Sequence, residues 1–185
     1  DELGFFHADY GLTGTEGGLR FPVYEGYGNH DFDSAEGGDF NEWDWRYYYA
    51  QDTTPAADSV AERNPDRIGL TSVAPDLDGH YSWDWDWLHL VNMDLFPGDE
   101  PSDAEVNALT RDPRDALSFL EADLSARVGD SGRPVVVMAH YGFDGFGQEP
   151  RWWTDEQKEA FRAVIAGYDV SYVHGHTHAT YAYEV

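Results

Sequence analysis

Hydrophobic and polar positions fall into short regular patterns in the second half of the chain. Residues 80–85, HYSWDW, alternate aromatic and polar side chains, the period-two signature of a strand. Residues 88–95, LHLVNMDL, read as a second strand after a tight turn at Asp86 and Trp87. Leu117, Leu120, Leu124 and Val128 then recur at helical spacing. Asp112 is placed to cap that helix, Pro113 suits its first turn and Gly129 stops it. Residues 134–139, PVVVMA, are apolar almost throughout, as in a strand buried on both faces. Thr154 and Gln157 have capping-box spacing ahead of Ala160, Phe161, Val164 and Ile165, and Gly167 ends that helix. Residues 169–173 predict a last core strand, and residues 180–185 start another alternating one.

The first half is patterned more weakly. Residues 21–27 are strand-like, and the glycine-rich stretch 11–18 reads as a loop. Residues 31–44, 50–67 (with Pro55 and Pro65) and 97–113 read as long surface excursions. No repeat recurs at 20 to 50 residues. Strand, helix, strand, helix, strand predicts an α/β domain around a central sheet, spanning residues 1–185. Because the last residues follow a strand pattern, that sheet is expected to be cut short.

Charge narrows the partners. The chain has 36 acidic and 11 basic residues, for a net charge of −25. Nucleic acids and anionic membranes are held by Lys and Arg, so broad nucleic-acid binding is excluded. A small phosphorylated substrate stays open, because a metal site supplies local positive charge. Aromatic residues make up 16% of the chain, which argues against disorder. Zero cysteines remove disulfides, thiolate metal sites and cysteine nucleophiles. No apolar run approaches the ~20 residues of a membrane span, and no signal peptide is visible. An acid excess with one lysine, Lys158, suits a secreted, periplasmic or salt-adapted protein.

Three polar clusters each follow a strand-like run. They are Gly28-Asn29-His30-Asp31, His140-Tyr141-Gly142 and Gly175-His176-Thr177-His178. Functional groups in α/β sheets collect at the carboxyl ends of strands, so the three can converge on one crevice. An Asn oxygen and imidazole nitrogens, without sulfur, suit Mn, Fe, Zn, Co or Ni. Gly175 lets the backbone approach closely.

GNHD, then a His after an apolar strand, then GHTH, in this order, resembles the calcineurin-like metallophosphoesterase superfamily. The resemblance covers residues 20–180 and implies a four-layer α/β/β/α (αββα) sandwich. It implies a dinuclear metal centre whose bridging hydroxide attacks a phosphate ester. In the family pattern Asn29, His140 and His176 resemble ligands of one metal, and His178 a ligand of the other. His30 resembles the general acid that protonates the leaving oxygen, and Asp31 a residue that orients His30 or its loop. Tyr141, next to a ligand, is the candidate substrate contact. Two further blocks, D-x-H and G-D, belong upstream of Gly28 and are absent there: His7-Ala8-Asp9 has the reverse order. Asp78-Gly79-His80 has the letters in the wrong place and reads as a turn. The chain is therefore expected to be a piece of a longer enzyme, incomplete at the N-terminus and also at the C-terminus, and weak or inactive alone. The alternative is a non-catalytic binding module on the same fold.

Other candidates carry less. The acidic run from Asp31 lacks the sixth-position glycine of an EF-hand, since Glu36 stands there. Trp83 and Trp85 share one strand face and are expected to pack in the core or against loops, while Trp152 and Trp153 are placed to wall a cleft. A carbohydrate platform is the third reading of these tryptophans. His174 is a candidate second-layer residue. His7, His80 and His89 read as structural or solvent-facing.

Overall fold

The structure is a computed structural model that describes residues 6, 8–28, 31, 54–75, 78–95, 97–99, 115–142 and 154–176. Among these, a five-stranded mixed sheet is flanked by three helices, which makes the chain α/β. The helices are α1 (Thr54–Arg63), α2 (Ala116–Asp123) and α3 (Asp155–Ile165). The strands are β1 (Leu70–Val73), β2 (Tyr81–Trp85), β3 (Leu88–Asn92), β4 (Val135–Ala139) and β5 (Val170–His174), adjacent in that order. β1, β2 and β3 pair antiparallel; β3, β4 and β5 pair parallel.

The β2–β3 hairpin forms as its pattern predicts, with Trp85 opposite Leu88 and Asp86 in the left-handed region at φ 55°. Asp tolerates that conformation better than most residues. Trp83 is buried and stacks on Tyr24, with ring centroids 4.2 Å apart. Trp85 is 74% exposed, contrary to the packing expected from its shared face, because the strand tip runs beyond the core.

Leu120, Leu124 and Val128 are buried as one stripe, the last two on a π turn that extends α2. Each such burial is worth roughly 1.5–3 kcal/mol. The predicted cap at Asp112 and Pro113 lies outside the described residues; the described helix follows Asp115. At α3 the capping box is present. Gln157 N donates to Thr154 Oγ1 at 3.3 Å, and Thr154 N to Gln157 Oε1 at 2.7 Å. Phe161 is fully buried against Tyr172 of β5.

Three expectations change. Residues 54–67 are not a surface excursion but α1 and a 3₁₀ turn (Asn64–Asp66), with Ala57, Val60, Asn64 and Arg67 buried. Both prolines sit near element starts, where the missing N–H costs little. Residues 22–28 are extended but join no ladder. Two of their carbonyls are taken by side chains: Val23 O by Arg67 Nη1, and Glu25 O by Tyr81 Oη and Asn92 Nδ2. β5 alternates half-buried and exposed residues rather than lying wholly in the core, because its described ladder partner is β4 alone. Residues 180–185 lie outside the described residues. No helix among the described residues is long and apolar enough to cross a membrane.

Candidate functional site

Neighbouring parallel strands end on the same side of a sheet. His140 follows β4 and His176 follows β5, so the topology brings them together. His140 Nε2 lies 3.2 Å from His176 Nδ1. Backbone bonds fasten the strand ends past their ladders. His140 N donates to Asp94 O at 2.8 Å, and Gly175 N to His140 O at 3.1 Å. His176 sits at φ 67°. A non-glycine residue in that region carries local strain, which collects where side chains are held for function.

The extended segment 22–28 crosses these strand ends. A Cβ on Gly28 would lie 2.7 Å from His140 Nδ1, and one on Gly26 would lie 2.8 Å from Asn92 Oδ1. A side chain at either position would have to displace the ring or amide it meets. Asp31 closes the turn that follows: its Oδ2 accepts from Gly28 N at 2.8 Å, and its own N–H donates to Gly28 O at 3.1 Å. Asn29, His30 and His178 lie outside the described residues, as do Trp152 and Trp153.

Tyr141 is 2% exposed, its ring centroid 4.6 Å from that of His176. Its carbonyl accepts from Tyr172 Oη. Burial pushes its phenol well above the ordinary range. The ring thus backs His176. His174 stacks near Tyr172 and presses so closely on Gly142 that any side chain there would collide with its ring.

Sequence reasoning missed Asn92 and Asp94 at the end of β3. Asp94 is buried at φ 55°; its Oδ1 accepts from Asn92 Nδ2 at 2.7 Å and its Oδ2 lies 3.4 Å from His80 Nδ1. The available signal was an N-x-D run leaving a strand.

No family model, characterised protein or solved structure matches this chain.

The pair His140–His176 therefore has to be judged on its own chemistry. Two imidazole nitrogens each ~2.1 Å from a shared cation stand roughly 3.0–3.4 Å apart. The observed 3.2 Å lies in that range, and also suits a hydrogen bond between the rings. The donor set fits a borderline metal. Among the described residues, no group of three or more His, Asp or Glu is arranged to hold a metal. The pair supplies two ligands, and the remaining candidates, Asn29 and His178, lie outside the described residues.

Proposed function

We propose that the chain belongs to a metal-dependent phosphoester hydrolase of the calcineurin-like type, on a four-layer αββα sandwich. The observation that carries this reading is the 3.2 Å approach of His140 and His176 at adjacent strand ends, under the Gly28–Asp31 turn. His140, His176 and Asn29 would hold one metal, and His178 the other. The metals are drawn from Mn, Fe, Zn, Co and Ni. Two such cations, when bound, acidify water and neutralise phosphoryl charge.

The chain's own residues do the rest. The Asp31 carboxylate fixes the turn and so the direction of His30, which gives a proton to the leaving oxygen. Tyr141 buttresses His176 and borders the substrate. Gly28 lets the turn lie on the His140 ring. The substrate is a small phosphate ester, which a chain of charge −25 admits only where cations offset its own field.

The test pairs metal content with turnover. Mn(II) binding and hydrolysis of p-nitrophenyl phosphate mono- and diesters are measured on the 185-residue chain and on a version extended upstream. His140→Ala and His176→Ala should each lose metal. His30→Ala should keep metal and lose most turnover in the extended form. If neither form binds metal or turns over, the hydrolase reading fails, and a non-catalytic binding module replaces it.

A further inference from the structure

At the other end of β3, away from the histidine pair, His89 is fully buried. Its Nδ1 stands 2.7 Å from Asp84 Oδ1 on β2, and its Nε2 stands 2.6 Å from Asp123 Oδ2 on α2. Ionised carboxylates only accept, so with Asp84 and Asp123 both ionised the two bonds call for a proton on each ring nitrogen, an imidazolium. Among the described residues, the charges that meet this cluster come from three elements. Asp84 comes from β2, Asp123 from α2, and Arg133 from the approach to β4, with Nη2 2.7 Å from Asp84 Oδ1 and Nη1 donating to Oδ2 at 3.1 Å. β1 reaches the cluster through uncharged Thr71, which meets Ser82; Ser82 donates to Asp123 Oδ1 at 2.8 Å. Arg127, on the extension of α2, donates to Ser72 instead.

Removing the ring proton would aim a nitrogen lone pair at a carboxylate, so one bond must break. The two carboxylates are unequal. The Asp123 side chain is 1% exposed, and losing the imidazole would cost it a donor it cannot replace with water. The Asp84 side chain is 36% exposed and keeps Arg133. The bond to Asp84 is the one that gives way.

We propose that His89 is a proton-operated latch between the β2–β3 hairpin tip and α2, shut when the ring is charged and released at Asp84 when it is neutral. Burial alone would lower the His89 pKa, but the bonds to Asp123 and Asp84 outweigh it and raise it above the ordinary imidazole value. The latch therefore stays shut to a higher pH than an ordinary imidazole would hold it. Its contribution to stability is complete below the unfolded value of ~6.5 and is lost as pH rises through the higher folded value. The tip it holds carries the exposed Trp85 and Trp87. Arg133 Nε donates to Trp87 O at 3.1 Å, so release of Asp84 is felt beside an indole. This inference does not depend on the phosphoesterase reading.

The test uses the whole chain. Ring ¹⁵N shifts of His89 are followed with pH, beside urea unfolding of wild type and His89→Gln. The ring should titrate with a midpoint above the ordinary imidazole value of ~6.5, both nitrogens carrying protons below it. The wild-type folded-to-unfolded ratio should fall by up to about tenfold per pH unit through that midpoint, and His89→Gln should lack this component. Tryptophan fluorescence should step at the same midpoint. A ring midpoint at or below ~6.5, or an identical pH dependence in His89→Gln, overturns the latch. A ring that titrates without any change in fluorescence overturns release at the tip. The ring titration needs no variant, so a failure of His89→Gln to fold leaves the test intact.

Discussion

The placement of the Gly28–Asp31 turn rests on a buried ion cluster, and that cluster makes a sharp prediction. Arg67 grips Glu25 with two bonds, Nη1 to Oε2 at 2.5 Å and Nη2 to Oε1 at 2.7 Å. It also donates to Val23 O and Asn64 Oδ1 and lies over the Tyr81 ring. The Arg67 side chain is 0% exposed and that of Glu25 9%. Removing one partner of a buried pair costs ~3–5 kcal/mol. The two removals are not equivalent. Arg67→Met leaves Glu25 with Arg63, 2.9 Å away, so its cost should lie near ~3 kcal/mol. Glu25→Gln leaves Arg67 buried with no bonded carboxylate and only the field of Asp94, so its cost should lie near ~5 kcal/mol. The double variant should recover ~1–3 kcal/mol of the summed loss. Urea unfolding at pH 7 of the four proteins gives all three numbers. Additivity within ~0.5 kcal/mol, or an Arg67→Met cost at or above that of Glu25→Gln, would refute the reasoning. Acid provides a second check. Burial pushes the Glu25 carboxyl up, but its bonds to Arg67 and Arg63 prevail and hold it below the ordinary value. Its stabilisation is present above the unfolded value of ~4.3 and is lost as pH falls through the lower folded value. Glu25→Gln should flatten that acid limb.

Other substitutions test separate parts of the structure. Leu120→Ala, at a fully buried position under the sheet, should cost ~2–5 kcal/mol by chemical denaturation. Thr154→Ala removes the acceptor of the capping box and should cost ~1 kcal/mol; a neutral result would show that α3 does not depend on its cap. Gly28→Ala forces a methyl to within 2.7 Å of His140 Nδ1 and should weaken Co(II) binding by ~10–100-fold, read by titration calorimetry. Unchanged Co(II) affinity would separate the turn from the histidine pair.

The parts of the fold that were legible are local. The hairpin, the α2 stripe and the Thr154–Gln157 cap each fit in a dozen residues, and each formed as its pattern predicts. α1 was hidden because Pro55 and Pro65 suggested a loop, while the Ala57, Val60, Asn64 spacing was a helical stripe. Residues 21–27 looked like a strand, but the carbonyls of Val23 and Glu25 answer to Arg67, Tyr81 and Asn92, distant residues that no window contains. In the site, His140 and His176 were legible as strand-end histidines, and their meeting follows from the parallel β4–β5 pair. Gly142 and Asp94 were not, because their roles exist only once strand ends are side by side. His89 was read as structural, but Asp123, 34 residues away, is what fixes its charge.

The mixed sheet also sets an order of assembly. β2 and β3 are joined by two residues, a hairpin of the kind that closes in ~1–10 μs. Reaching β4 from β3 means closing 42 intervening residues, and reaching β5 from β4 another 30. Such non-local seams are slow, because chain entropy is lost before any contact is gained. His140 hangs from the first seam and His176 from the second. Their rings can meet only after both have closed. A probe on that pair would time the last event of folding, while the tryptophans of the hairpin would time the first.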